Sequence, residues 1–164
     1  MSLSLVSARV GSPPSSLAEL ARRSAAEHPD RPAVVDGARS LTYRELDEAA
    51  DRLARGLGAA GVAAGDRVAI WADKSTEVVA AMQAVLRAGG VYVPIDPMSP
   101  APRAARILRD CGVGIVLTTE ARAVALAAEP DVAARPVVLE AAWGELASDG
   151  ALPVGGELLS LIHI

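Results

Sequence analysis

The sequence predicts an α/β fold in which a largely parallel sheet is flanked by helices. Two observations point there. Between Arg67 and Leu139, short Val- and Ile-rich runs alternate with segments whose apolar residues recur at helical spacing, the pattern of strands joined by crossover helices. One of those runs, Val113-Gly114-Ile115-Val116-Leu117, is apolar at nearly every position, as a strand covered on both faces must be.

The elements follow in order from local chemistry. Residues 1–15 are small, polar and proline-containing, and read as a flexible arm. Ser16 and Glu19 have the spacing of a capping box, each side chain able to satisfy a free amide at a helix start. The helix carries Leu17, Leu20, Ala21 and Ala25, and Pro29 and Pro32 close it. Ala33 to Gly37 then reads as a strand and turn, with Ser40 to Thr42 as the hairpin return. Thr42 and Glu45 repeat the capping-box spacing, and Leu41 and Leu46 can form the hydrophobic staple around it. Such a cap contributes about 1 kcal/mol. Behind it, Leu46, Ala50, Leu53 and Leu57 fall on one stripe, with Asp47, Asp51, Arg52 and Arg55 elsewhere and Gly61 as the terminator.

Arg67 to Trp71 is the next strand. Ser75 caps a helix whose apolar face is predicted as Val78, Val79, Met82, Val85 and Leu86, and Gly89-Gly90 ends it. Val91 to Asp96 returns as a strand that runs into a proline-rich turn. Ser99-Pro100 places a cap and then a proline at the start of another helix, with Ala104, Ile107 and Leu108 inward. Beyond the strand at 113–117, residues 121–128 read as a helix and Pro136 to Leu139 as the last strand.

Composition narrows the function classes. With 164 residues, 51% of them hydrophobic, and a formal net charge of −4, the chain suits one soluble domain and is too short for two of ordinary size. The acidic balance and the lack of a Lys/Arg cluster recommend neither nucleic acid nor an anionic membrane as a partner. A lone cysteine, Cys111, excludes a disulfide framework and a cysteine-based metal site within the chain. No apolar run reaches the roughly 18 residues of a membrane span. The first residues lack the pattern of a signal peptide, so a cytoplasmic setting is expected.

Single residues carry little chemistry. No Walker-type loop is present, and Gly112-Val113-Gly114 follows a helix instead of a strand, against a role in cofactor binding. His28, before Pro29, reads as a solvated or capping residue. Cys111, beside Asp110, reads as a packed thiol in preference to a reactive one. Asp96 in the Pro-Ile-Asp-Pro turn has the chemistry of a metal ligand or base, but Asp in such turns more commonly accepts backbone amides. Tyr92 reads as a packed strand aromatic. Lys74, the only lysine, reads as a solvated loop residue in preference to a phosphate contact.

Two longer strings carry a family resemblance. Leu41-Thr42-Tyr43-Arg44-Glu45-Leu46 resembles the opening signature of the adenylation domains of nonribosomal peptide synthetases and their acyl-CoA synthetase relatives. Leu86-Arg87-Ala88-Gly89-Gly90-Val91-Tyr92-Val93-Pro94-Ile95-Asp96 resembles the second signature. Gly65 to Ile70 and the helix–strand run Arg103 to Thr118 also look like the family, so the resemblance covers residues 16 to 140 in order and spacing. It implies an incomplete N-terminal subdomain of an adenylate-forming ligase. The parent would use ATP and Mg²⁺ to activate a carboxylic acid and would pass the acyl group to a phosphopantetheine thiol, on a carrier protein or on coenzyme A. Tyr92-Val93-Pro94-Ile95-Asp96 tilts the substrate toward an amino acid over a fatty or aryl acid.

The two strings are architecture. The first is a helix cap with its staple, and the second is a helix stop, a buried strand and a fixed turn. In the family, the Ser/Thr/Gly-rich phosphate loop, the adenine- and acyl-binding residues and the activating lysine all lie further downstream. No position here is therefore assigned a catalytic, cofactor-binding or metal-binding role, and neither ATP nor Mg²⁺ is expected to bind this chain well. The expected organisation is an arm at 1–15, a partial AMP-binding domain at 16–145, a loop at 146–158 approaching the missing phosphate loop, and a non-native tail at 159–164. The tail reads Leu159-Ser160-Leu161-Ile162-His163-Ile164, which the codons CTG TCT CTT ATA CAC ATC would encode. Those codons match the mosaic-end adapter of transposase-made sequencing libraries. A chain cut there is expected to leave open sheet edges and an uncovered apolar face, with poor solubility or molten behaviour.

Overall fold

A computed structural model describes residues 16–147; the expected arm, the downstream loop from residue 148 and the tail lie outside it. Helix α1 (Leu17–Glu27) leads into a hairpin of β1 (Pro32–Asp36) and β2 (Arg39–Thr42), then α2 (Tyr43–Ala59). From there strand and helix alternate: β3 (Arg67–Trp71), α3 (Thr76–Arg87), β4 (Val91–Pro94), α4 (Ala101–Asp110), β5 (Ile115–Thr118), α5 (Glu120–Ala127), β6 (Arg135–Val138) and α6 (Leu139–Ala147). The last four strands form one parallel sheet in the order β4-β3-β5-β6.

Period-two alternation sorts the strand residues between two cores. Val68, Ile70, Ile115 and Leu117 face a cluster completed by Leu46, Leu53 and Leu57 of α2, Ala80, Ala84 and Val85 of α3, and Leu139 and Ala142 of α6. Ala69, Trp71 and Val116 face the other side, with Ala104, Ala105 and Leu108 of α4 and Leu126 of α5. Both faces are thus covered by helices among the described residues, which corrects the expected uncovered face. The outer sides of β4 and β6 carry no further strand in this sheet. With two packed clusters of its own, the described unit is expected to unfold in one cooperative thermal transition by circular dichroism. A broad transition with loss of near-ultraviolet signal would restore the molten expectation.

Local signals land mostly where the sequence put them. The Ser16 hydroxyl accepts from the Glu19 amide at 3.1 Å. The second box is complete: the Glu45 amide donates to Thr42 Oγ1 at 3.2 Å, and the Thr42 amide donates to Glu45 Oε2 at 2.8 Å. Leu41 and Leu46 join the same cluster, as the staple requires. At the end of α3, Gly89 sits at φ +80, and a Cβ on Gly90 would lie 3.1 Å from the Asp66 carbonyl oxygen. The second signature's glycines are therefore needed for a left-handed helix exit and for close passage of β4's start against the loop that leads into β3.

Four predictions about elements are corrected. The side of α3 that is buried consists of Thr76, Glu77, Ala80, Ala81, Ala84 and Val85, while Val78, Val79 and Met82 are only partly buried. This helix is wedged between α2 and the sheet, and close approach on its inner side selects alanine over bulk. Ser99 caps nothing: Pro100 holds the N-cap position of α4 without a side-chain hydrogen bond, and the proline of the first turn is Pro102. Leu139, predicted as the end of a strand, instead opens α6. The strand predicted from Val113 starts at Ile115, because Val113 still donates its amide to the Leu108 carbonyl and closes α4.

Candidate functional site at the carboxyl edge of the sheet

The chain goes from β3 outward to β4, then crosses back past β3 to β5. The strand order therefore reverses between β3 and β5, and in open α/β sheets ligands bind beyond the carboxyl ends of the strands at such a reversal. Here that edge is built by the loops after β3, β4 and β5, the start of α6 and the β1–β2 hairpin. A cleft of about 240 Å³ opens among them, lined by Arg39, Asp73, Ser75, Glu77, Thr119 and Glu140.

Most polar groups in this cleft already serve the fold. The Ser75 hydroxyl accepts from the Val78 amide at 3.3 Å and the Thr119 hydroxyl from the Arg122 amide at 3.4 Å, so both are helix caps. Glu77 is nearly buried, pairs with Arg39 of the hairpin at 2.5 Å and accepts from the Thr76 hydroxyl at 3.0 Å. Burial by itself pushes the Glu77 carboxyl up, but its own backbone amide, the Ser75 and Thr76 hydroxyls and the Arg39 charge outweigh that and hold it below the ordinary value. Arg122 of α5 reaches across the edge: its guanidinium donates to both Asp73 oxygens at 3.2 and 3.0 Å and to the Pro97 carbonyl at 3.1 Å, and it lies 5.7 Å from the Trp71 ring centroid. The Thr118 hydroxyl donates to the Trp71 carbonyl at 2.7 Å and ties the ends of β3 and β5 together.

The depressed carboxyls set a pH dependence. Glu45 is lowered by the Thr42 amide and hydroxyl. In Asp51 burial raises the carboxyl, but hydrogen bonds and charge from Arg87 and Arg22 lower it further. An acid whose folded pKa is depressed contributes stability above its unfolded pKa and loses it as pH falls through the folded value. The melting temperature is therefore expected to hold steady near neutrality and to fall below pH 4.5, the ordinary glutamate value. Glu77→Gln should make that fall shallower; a fall centred between pH 5 and 7 would count against these carboxylates as the cause.

The residues singled out in the sequence are placed as follows. Asp96 accepts the Met98 amide at 2.9 Å, the turn role expected of it. His28 is the exposed C-cap residue of α1, and Cys111 is the half-buried C-cap of α4 packed against the second core cluster. Tyr92 packs against the first core cluster. Lys74 is exposed in the loop after β3, near the cleft but outside its lining. Gly112 and Gly114 line a larger hollow of about 340 Å³ at the opposite edge of the sheet. There Arg135 donates to the Ala60 carbonyl at 2.6 Å and Arg67 to the Cys111 carbonyl at 3.4 Å. Both arginines occupy themselves with helix C-terminal carbonyls, an unfavourable setting for an anionic ligand. Sequence reasoning missed Arg39, Glu77 and Arg122, whose partners lie 38, 38 and 49 positions away. Long-range ion pairs leave no periodic trace.

Among the described residues no group of three or more His, Cys, Asp or Glu side chains is placed to hold a metal ion. No helix among them is long and apolar enough to cross a membrane.

Comparison with known proteins then decides the family. The model of the family described as "AMP-binding enzyme" matches residues 21–153. The chain belongs to that family. The chain is 42% identical over 124 residues to the L-proline--[L-prolyl-carrier protein] ligase of Pseudomonas fluorescens, covering 76% of its own length and 25% of the ligase. It resembles the Klebsiella oxytoca NpsA N-terminal subdomain in complex with 3-hydroxybenzoyl-AMSN, with a TM-score of 0.69, 25% identity and coverage of 86% of this chain and 33% of that one. It also resembles the o-succinylbenzoate coenzyme A synthetase MenE of Bacillus subtilis in complex with AMP, with a TM-score of 0.65, 25% identity and coverage of 80% and 32%. The chain thus spans a quarter to a third of the length of these proteins. Its four-stranded parallel sheet flanked by helices is the part they share.

Proposed function

We propose that this chain is the N-terminal part of an ATP-dependent adenylate-forming ligase. The parent joins a carboxylic acid to ATP, releases pyrophosphate, and passes the acyl group from the acyl-adenylate to a phosphopantetheine thiol. Its substrate is an amino acid and its acceptor a carrier protein. The observation that supports this reading best is the 42% identity to a ligase that acts with a prolyl-carrier protein. In this reading residues 16–145 are the partial AMP-binding domain, 146–158 approach the phosphate loop, and 159–164 are foreign to the gene. The 164-residue chain is then inactive alone, because the groups that grip phosphate and neutralise its charge lie downstream.

The test is to read the source gene past codon 158 and to assay the extended protein by amino-acid-dependent ATP–pyrophosphate exchange. The expected result is a frame that continues into a Ser/Thr/Gly-rich loop with a lysine, exchange by the extended protein, and none by the present chain. A true genomic stop after Ile164, with no exchange, would instead favour a short non-catalytic α/β module. The likeness to MenE supports a second reading with coenzyme A as acceptor. Acyl transfer to free coenzyme A, and none to a carrier protein, would select it.

A further inference from the structure

We propose that Arg122 is a positioning residue that clamps the three loops at the carboxyl edge of the sheet into one arrangement. The importance of that edge rests on the ligase reading above, but the clamp itself is a property of this chain. One terminal nitrogen of the guanidinium has two protons, and the geometry uses both. One is shared between the Asp73 oxygens at 3.2 and 3.0 Å; the other goes to the Pro97 carbonyl at 3.1 Å. Asp73 belongs to the loop after β3, Pro97 to the loop after β4, and Arg122 to the helix entered from the loop after β5.

The guanidinium is held in place for this. Its side chain is only 18% exposed, it stands over the Trp71 ring, and Trp71 is itself buried at the end of β3. A planar cation over a fixed aromatic face loses little freedom when it forms a fork of hydrogen bonds. Lysine, a flexible point charge, cannot reproduce both contacts from above the ring. Nothing else described links the loop after β4 to the loop after β5 by a side-chain hydrogen bond, whereas Thr118 already ties β5 to β3. Arg122 therefore determines where the Asp96 turn stands relative to the crevice between β3 and β5.

Amide hydrogen exchange on the 164-residue chain tests this directly. The Met98 and Ser99 amides report the Asp96 turn, the Val78 amide reports the Ser75 cap, and the Gly90 and Val91 amides report the far edge. Arg122→Met keeps the apolar stem and removes the fork. It is expected to speed exchange at Met98 and Ser99 by about tenfold, with Gly90 and Val91 unchanged. Asp73→Asn, at an exposed position, should speed Val78 and leave Met98 and Ser99 alone. In a Trp143→Phe background, emission from Trp71 should change in Arg122→Met and be restored in Arg122→Lys, which returns a cation to the ring without restoring slow exchange at Met98. Unchanged exchange in Arg122→Met would overturn the clamp, as would a uniform acceleration of all these amides. The amide data stand whether or not an extended protein exchanges pyrophosphate, so failure of the clamp and failure of the ligase reading are separate results.

Discussion

Arg87→Ala is expected to destabilise the chain by about 3 kcal/mol, measured by urea denaturation at neutral pH. Arg87 is the basic residue of the second signature string, and its side chain is 2% exposed. It donates to Asp47 Oδ1 at 2.6 Å, to Asp51 Oδ1 at 2.8 Å and to the Asp47 carbonyl at 2.8 Å, and Asp51 also receives Arg22 of α1 at 2.6 Å. One guanidinium thereby ties α3 to α2 and, through Asp51, to α1. The Asp47 and Asp51 side chains remain 30% and 35% exposed, so water can reach the carboxylates once the cation is gone. That places the loss at the low end of the range for broken buried pairs. Arg87→Met refills the space but leaves both carboxylates without their cation, so it recovers only the packing part of that loss and is expected to cost about 2 kcal/mol. Equal losses in the two variants would mean that charge pairing matters and packing does not. Equal and negligible losses would mean that the network adds nothing.

Trp71→Ala should cost more, about 3–5 kcal/mol, because it removes the largest side chain of the second core cluster from a central strand. Against a total stability of about 5–15 kcal/mol, such a loss leaves the chain near its unfolding threshold at room temperature. Trp71→Phe separates volume from polarity. The indole Nε1 is buried and has no hydrogen-bond partner among the described residues, so phenylalanine gives up no hydrogen bond and removes an unsatisfied donor. Its expected cost is about 1 kcal/mol, from the smaller ring alone. A loss in Trp71→Phe as large as in Trp71→Ala would show that the Nε1 proton has a partner outside residues 16–147.

The contrast between these two positions explains how much the sequence could say. The helix caps were readable because the chemistry is local: Thr42 and Glu45 sit three positions apart, and their bonds need no other part of the chain. The parallel sheet was readable because burial on both faces imposes continuous apolar runs on β3 and β5. Gly89 was readable as a stop, although the close approach of Gly90 to the Asp66 carbonyl was not. Arg87 gave no signal of its own. Within its helix it looks like a surface cation of the last turn, and only the packing of α2 against α3 buries it between Asp47 and Asp51.

The sequence by itself therefore determined the order and type of most elements, the caps that start them and the family to which the chain belongs. These rest on short-range spacing, on periodicity and on two strings of adjacent residues. Tertiary structure alone decided which side of α3 is buried, that α6 follows β6 and covers the first core, and which charges meet across the carboxyl edge. Those outcomes depend on partners 30 to 50 positions apart, such as Arg87 with Asp51 and Arg122 with Asp73. Their geometry exists only once the sheet has brought the loops together.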